Sequence, residues 1–151
     1  MHRLVASSFG LGLIPRRLWG SDSGAGTFGA ALGAVIGLGL LAVGAQWWIT
    51  LILATVATIA SIWSARPFAA DGDPGWICMD ETAGTLVAIV GLGGIPWVAA
   101  VVVARAADIF KVLPGVAAAD RMHGPVGITL DDVIAGLYGL GVGWLLVAIG
   151  L

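Results

Sequence analysis

Residues 23–65 read SGAGTFGAALGAVIGLGLLAVGAQWWITLILATVATIASIWSA, a run that holds no Asp, Glu, Lys or Arg. A helix rises about 1.5 Å per residue, so about 20 residues cross a hydrocarbon core roughly 30 Å thick. The run is too long for one crossing, and Gly44-Ala45-Gln46 interrupts it with the residues that break helices. It predicts two helices, over 27–44 and 47–64, joined by a tight turn. Trp47 and Trp48 at that turn, and Trp63 near the far end, suit the membrane–water interface, where amphipathic rings anchor.

The rest of the chain has the same character. Of its 151 residues 59% are hydrophobic and 11% charged, with a mean hydropathy of +1.02, whereas soluble domains carry about 25% charged residues. This composition defines an integral membrane protein, and its length predicts one domain over 1–151. The 24 glycines fit close approach of membrane helices. A net charge of -2 argues against nucleic acid as a partner, because phosphates demand a basic surface. A lone cysteine, Cys78, forms no intrachain disulfide. Near the start, Arg3 is followed by a short apolar run without a small-residue cleavage site before Pro15. That pattern predicts an interfacial helix over 1–14 rather than a cleaved signal.

Residues 77–92 predict a third apolar helix with Asp80 and Glu81 in its first turn, broken by Gly93-Gly94-Ile95-Pro96. Residues 97–113 predict a fourth that closes with Arg105, Asp108 and Lys111 before Pro114. A Gly- and Pro-punctuated loop over 117–128 leads to a last helix over 130–151, begun by Asp131 and Asp132. The expected fold is all-α: a polytopic membrane bundle of about five transmembrane helices plus the short N-terminal interfacial helix. With the N-terminus inside, the uncharged links at 44–46 and 93–96 fall outside, and all seven Lys and Arg residues fall on the cytoplasmic side, as the positive-inside rule prefers. The expected setting is a cytoplasmic membrane crossed several times, N-terminus in, with the charged layer on the cytoplasmic side.

Asp80, Glu81, Asp108, Asp131 and Asp132 open or close three predicted helices on that face. Ionisable groups near a membrane core are costly and mark pathways or sites. Carboxylates shared with phosphate and water suit Mg²⁺, and the chain lacks the His and Cys sets of a zinc site. Arg105 and Asp108 share a helix face, with Lys111 a further three along. An Arg fork suits a phosphate group and Lys supplies a compact charge. Structural explanations compete with each of these. Arg105 and Asp108 form a helical ion pair, Thr129 and Asp132 fit a capping box with Thr129 as N-cap, and Asp80 and Glu81 complement a helix dipole. The segment Gly24-Ala25-Gly26-Thr27-Phe28-Gly29 leads into the first helix, whose N-terminal amides suit phosphate; close helix packing is the alternative.

Three blocks are specific enough to place the chain by likeness. Asp80-Glu81-Thr82-Ala83-Gly84, then Arg105-Ala106-Ala107-Asp108-Ile109-Phe110-Lys111, then His123-Gly124-Pro125-Val126-Gly127-Ile128-Thr129-Leu130-Asp131-Asp132 resemble bacterial phosphatidylglycerophosphatase A. Phe9-Gly10-Leu11-Gly12-Leu13-Ile14-Pro15 and Gly26-Thr27-Phe28-Gly29 look like the N-terminal pattern of that family. The resemblance implies a Mg²⁺-dependent phosphatase of the bacterial inner membrane that converts phosphatidylglycerophosphate to phosphatidylglycerol and inorganic phosphate. It puts catalytic and metal-binding roles on Asp80, Glu81, Asp108, Asp131 and Asp132. It puts phosphate binding on Arg105, Lys111, Thr27 and His123. The chain departs from the family with Val112 and Ala25 where Pro is usual, and with an apparent insertion over 16–24.

Other phosphoryl chemistries fit less well. A cysteine phosphatase needs Arg six residues after its nucleophile, where this chain has Gly84. Asp71-Gly72-Asp73 looks superficially like an aspartyl-phosphate motif, yet Pro74 and Gly75 follow it as in a turn. The Ala-Arg of a CDP-alcohol phosphotransferase signature is absent after Asp71-Gly72, and only His2 and His123 are available as imidazoles. A non-catalytic cation transporter or channel lined by the same carboxylates is the alternative from a different class. The uncharged opposite half of each helix argues against it, and a purely structural helper would carry the charges as unneeded cost.

Overall fold

The protein's structure, a computed structural model, describes residues 1–71 and 74–151, and for Asp71 the backbone alone. The Asp71-Gly72-Asp73 motif therefore lies outside the described residues. The elements are α1 (His2–Ala6), a 3₁₀ turn (Leu11–Leu13), α2 (Ile14–Trp19), α3 (Ala25–Ala42), α4 (Trp47–Ala65), a second 3₁₀ turn (Ala69–Asp71), α5 (Met79–Ala88), α6 (Gly94–Phe110), α7 (Val116–Asp120) and α8 (Pro125–Ala148). Among the described residues there is no strand, so the all-α expectation holds.

The two helices expected from the uncharged run are α3 and α4, divided by Gly44 at φ +66°. Among the described residues three helices, α3, α4 and α8, are long and apolar enough to cross a membrane, against an expected count of about five. The ten residues of α5 cover about 15 Å, half of a hydrocarbon core. The 17 residues of α6 cover about 25 Å and include Arg105 and Asp108.

Four local expectations are corrected. The helix over 1–14 is divided because Ser8, Phe9 and Gly10 all take positive φ, which ends α1 and turns the chain. The break at 93–96 is instead the beginning of α6: Gly93 is its N-cap, and Pro96 lies in the first turn, where a missing N–H costs little. The loop over 117–128 contains α7 and the first turn of α8, because Gly124 at φ +95° hands the chain to Pro125 at the helix start. Thr129 consequently caps nothing. Its hydroxyl lies 2.8 Å from Ser61 Oγ and donates to the Pro125 carbonyl at 3.1 Å. Asp131 and Asp132 sit about two turns inside α8, so helix capping does not account for Asp132.

Helix directions follow from the pairs that touch. Against α5, α3 brings Gly33 to Thr82 and Thr85, then Gly37 to Ile89. Against α5, α8 brings Asp132 to Gly84; against α6 it brings Gly139 to Ala104, then Gly143 to Pro96. Thus α3, α5 and α8 leave one end of the bundle, and α4 and α6 return to it. Ala54, Met79, Ala83, Leu86, Ile89, Trp97 and Ala100 fill the space between them. Large apolar side chains such as Val35, Ile52, Ile59, Val102 and Leu145 point outward, as in a bundle whose solvent is lipid.

The two ends differ in chemistry. At one, Trp47 lies beside Gly91, and Trp144 Nε1 donates to the Val90 carbonyl at 3.3 Å. At the other, Trp63 stacks on His2 with ring centroids 4.0 Å apart, beside the charged residues.

Candidate metal centre

Three helices bring carboxylates to the charged end. Asp80 and Glu81 come from the first turn of α5, Asp108 from the last turn of α6, and Asp131 and Asp132 from α8. Asp80, Asp108, Asp131 and Asp132 are all buried. Oxygens of Asp80, Glu81 and Asp132 lie within 4.8 Å of one another, and so do oxygens of Asp108, Asp131 and Asp132. The five sequence-predicted acidic residues therefore form one cluster, with Asp132 in both halves.

Close helix contact makes this possible. A Cβ on Gly84 would lie 2.5 Å from the Asp132 carbonyl oxygen, and one on Gly136 would meet the Gly84 carbonyl. Only glycine lets α5 and α8 approach at this level. The N-terminal segment fixes α5 from the other side: Ser8 Oγ lies 2.7 Å from Thr82 Oγ1, which donates to the Gly29 carbonyl at 2.9 Å. The Cys78 amide donates to the Ala6 carbonyl. Burial pushes the Cys78 thiol up to about 11, a protonated group unsuited to nucleophilic work.

Two cations join the acids. Arg105 pairs with Asp108 along α6 and reaches Glu81 on α5 at 3.9 Å. The expected Arg105–Asp108 helical pair is thus present and extends between helices. Lys111, at φ +50° where α6 ends, bonds Asp131 at 2.8 Å and also contacts Asp120 of α7. Burial alone would lower the pKa of this ammonium, but the two carboxylates outweigh it and hold the pKa raised. Lys111 remains charged at any physiological pH.

Around these groups the surface has two features. Glu81, Gly84, Arg105, Asp108 and Asp132 enclose a gap of about 10 Å³, the scale of one water or ion. Beside it, Asp120, Arg121, His123, Gly124 and Asp131 line a cleft of about 700 Å³. His123 is exposed and lines that cleft together with Asp131. Thr27 is exposed on the first turn of α3; its neighbour Gly26 is the residue packed against Glu81 and Arg105. Asp120 was not among the residues that sequence reasoning singled out as a site. Its signal was a carboxylate nine residues beyond Lys111, in a stretch read as loop.

The residues fit a divalent cation. Asp80 Oδ1, Glu81 Oε2 and Asp131 Oδ1 are buried without hydrogen-bond partners, a costly state for carboxylate oxygens unless charge compensates them. The donors are all hard oxygens, the set suited to Mg²⁺ or Mn²⁺. Gly26→Ala tests how tightly α3 supports the cluster. Its methyl would displace the Glu81 carboxylate and the Arg105 guanidinium, so the expected outcome is a loss of turnover on the order of 10²-fold with helix content by circular dichroism unchanged.

Known proteins give the geometry a family. A family model described as phosphatidylglycerophosphatase A matches residues 4–147. A putative phosphatidylinositol-3-phosphatase of Bacteroides thetaiotaomicron is 32% identical over 145 residues, covering 89% of this chain and 86% of that one. A phosphatidylglycerophosphatase A of Haemophilus influenzae is 29% identical over 142 residues, covering 89% and 82%. No solved structure matches the chain. With a match over nearly its whole length, the chain belongs to the phosphatidylglycerophosphatase A family.

Proposed function

We propose that this protein is a Mg²⁺-dependent lipid phosphatase that hydrolyses phosphatidylglycerophosphate to phosphatidylglycerol and inorganic phosphate at the cytoplasmic face of a bacterial inner membrane. The observation that carries the reading is the meeting of five acidic side chains from three helices with Arg105 and Lys111 beside an open cleft. Depth supports it. Asp132 and Trp144 are separated by about 18 Å along α8, while Pro125 stands about 10 Å further out. A cluster inset this far from the helix end suits a phosphate carried on a membrane lipid. On this reading α5 and α6 also run between the acidic layer and the tryptophan layer, so five helices traverse it.

Asp80, Glu81, Asp108, Asp131 and Asp132 would hold the metal, which when bound would neutralise phosphate oxygens and make a nearby water more acidic. Arg105, oriented by Glu81 and Asp108, presents its fork to the phosphoryl oxygens. Lys111, braced by Asp120 and Asp131, supplies a second fixed charge as negative charge shifts toward the leaving group. In the net reaction the bond between phosphorus and the glycerol oxygen breaks, water oxygen bonds to phosphorus, and the glycerol oxygen takes a proton. Arg105→Ala is expected to lower kcat by about 10²- to 10³-fold with a smaller change in KM, measured on detergent-solubilised protein.

The substrate test compares phosphatidylglycerophosphate, phosphatidylinositol 3-phosphate, phosphatidic acid and lysophosphatidic acid. Preferred phosphate release from the first, abolished by EDTA and restored by Mg²⁺, is the expected result. Preference for the inositol lipid would transfer to this chain the activity named for the Bacteroides relative. Cation flux without hydrolysis of any of the four would contradict a phosphatase.

A further inference from the structure

The acidic cluster is larger than one cation requires. It divides into two trios, Asp80–Glu81–Asp132 and Asp108–Asp131–Asp132, each with donor oxygens inside 4.8 Å. A carboxylate has two oxygens, so the residue common to both trios can serve one ion with each. Both halves contain an oxygen in need of a partner. Asp80 Oδ1 and Glu81 Oε2 are orphaned in the first trio, and Asp131 Oδ1 in the second, with Asp80 and Asp131 only 4% and 5% exposed. Two separate orphaned positions across the cluster are not relieved by a single ion in either trio.

Charge gives the same answer. With Asp120 included, six carboxylates face the two cations Arg105 and Lys111. One divalent ion leaves this group formally negative and repels a phosphomonoester dianion. A second brings it to formal neutrality, after which the dianion binds without a like-charge barrier.

We propose that the centre holds two divalent cations, one in each trio, with the Asp132 carboxylate as their shared ligand. This rests on the metal-dependent reading above and adds the number of ions and the bridging residue. Asp80 and Glu81 belong to one ion alone, and Asp108 and Asp131 to the other.

Mn²⁺ titration of the purified full chain in detergent tests it, with bound metal counted by mass spectrometry of the desalted protein and followed by electron paramagnetic resonance. The expected result is about two Mn²⁺ per chain, displaced by Mg²⁺, with spectra broadened because ions in shared sites lie about 3.5–4 Å apart. Asp80→Asn and Asp131→Asn should each retain one ion with a sharp, uncoupled spectrum, and Asp132→Asn should weaken both. Wild-type protein saturating at one Mn²⁺, or two ions without magnetic coupling, would overturn the proposal, and this holds even where a variant fails to fold. Wild-type protein that hydrolyses lipid with Mg²⁺ yet binds one ion sinks the two-ion inference alone. Protein that binds two coupled ions and hydrolyses none of the four lipids sinks the phosphatase reading instead.

Discussion

Asp132→Asn is expected to lower phosphate release by on the order of 10³-fold while leaving the metal-free protein as stable as wild type, or more so. Both halves of this result come from the same geometry. Asp132 is buried and belongs to both groups of carboxylates, so its loss weakens every interaction the cluster makes with cations. Without metal the same carboxylates repel one another at close range in a poorly solvated site. Asn preserves the shape and removes one of those charges. Wild-type melting temperature should rise on adding Mg²⁺ through linkage, about 2.7 kcal/mol at a hundredfold excess over Kd; the variant should show little of that rise. A variant that loses stability without metal would indicate that Asp132 is a structural partner rather than a ligand.

Gly84→Ala should force apart α5 and α8, the two helices that carry four of the five clustered acids. The new Cβ would lie 2.5 Å from the Asp132 carbonyl oxygen and 2.9 Å from its carbon, which is backbone that no rotamer change can clear. Overpacking of this kind costs about 1–3 kcal/mol, and here the relief is separation of α5 from α8. That separation pulls Asp80 and Glu81 away from Asp132, so activity should fall together with the melting temperature. Gly39→Ala supplies the control. It lies in α3 with nothing within 4 Å of its added Cβ, and replacing a helix-interior glycine there should gain about 0.5–1 kcal/mol. Equal behaviour of the two variants in thermal melts would show that α5 and α8 are not held in register by this contact.

The sequence made some of this structure readable for identifiable reasons. The absence of charge between Ser23 and Ala65 left only helices in lipid as a stable arrangement, and α3 and α4 follow it to within two residues. The carboxylates were legible because charge is rare in this chain, so each occurrence stood out. Helix starts were less so. Gly and Pro at 93–96 and 124–125 serve both to stop helices and to begin them, and here they begin α6 and α8. Moving the start of α8 back to Pro125 removed Thr129 as a cap and returned Asp132 to the cluster. Asp120 went unrecognised because its contact with Lys111 depends on α7, a single turn too short to show a period. The glycines nearest the site, Gly26, Gly84 and Gly136, look in sequence like the other glycines; only what packs against them distinguishes them, backbone at Gly84 and Gly136 and the Glu81 and Arg105 side chains at Gly26.

The central claim is that acidic residues far apart in sequence surround a common divalent centre. Iron-directed cleavage examines it most directly: Fe²⁺ replaces Mg²⁺ in solubilised protein, ascorbate and hydrogen peroxide are added, and the cut sites are mapped by mass spectrometry. Cuts beside Asp80–Glu81, Asp108 and Asp131–Asp132, all suppressed by excess Mg²⁺, are the outcome this account requires. Cuts confined to a single helix, or cuts indifferent to Mg²⁺, would contradict it.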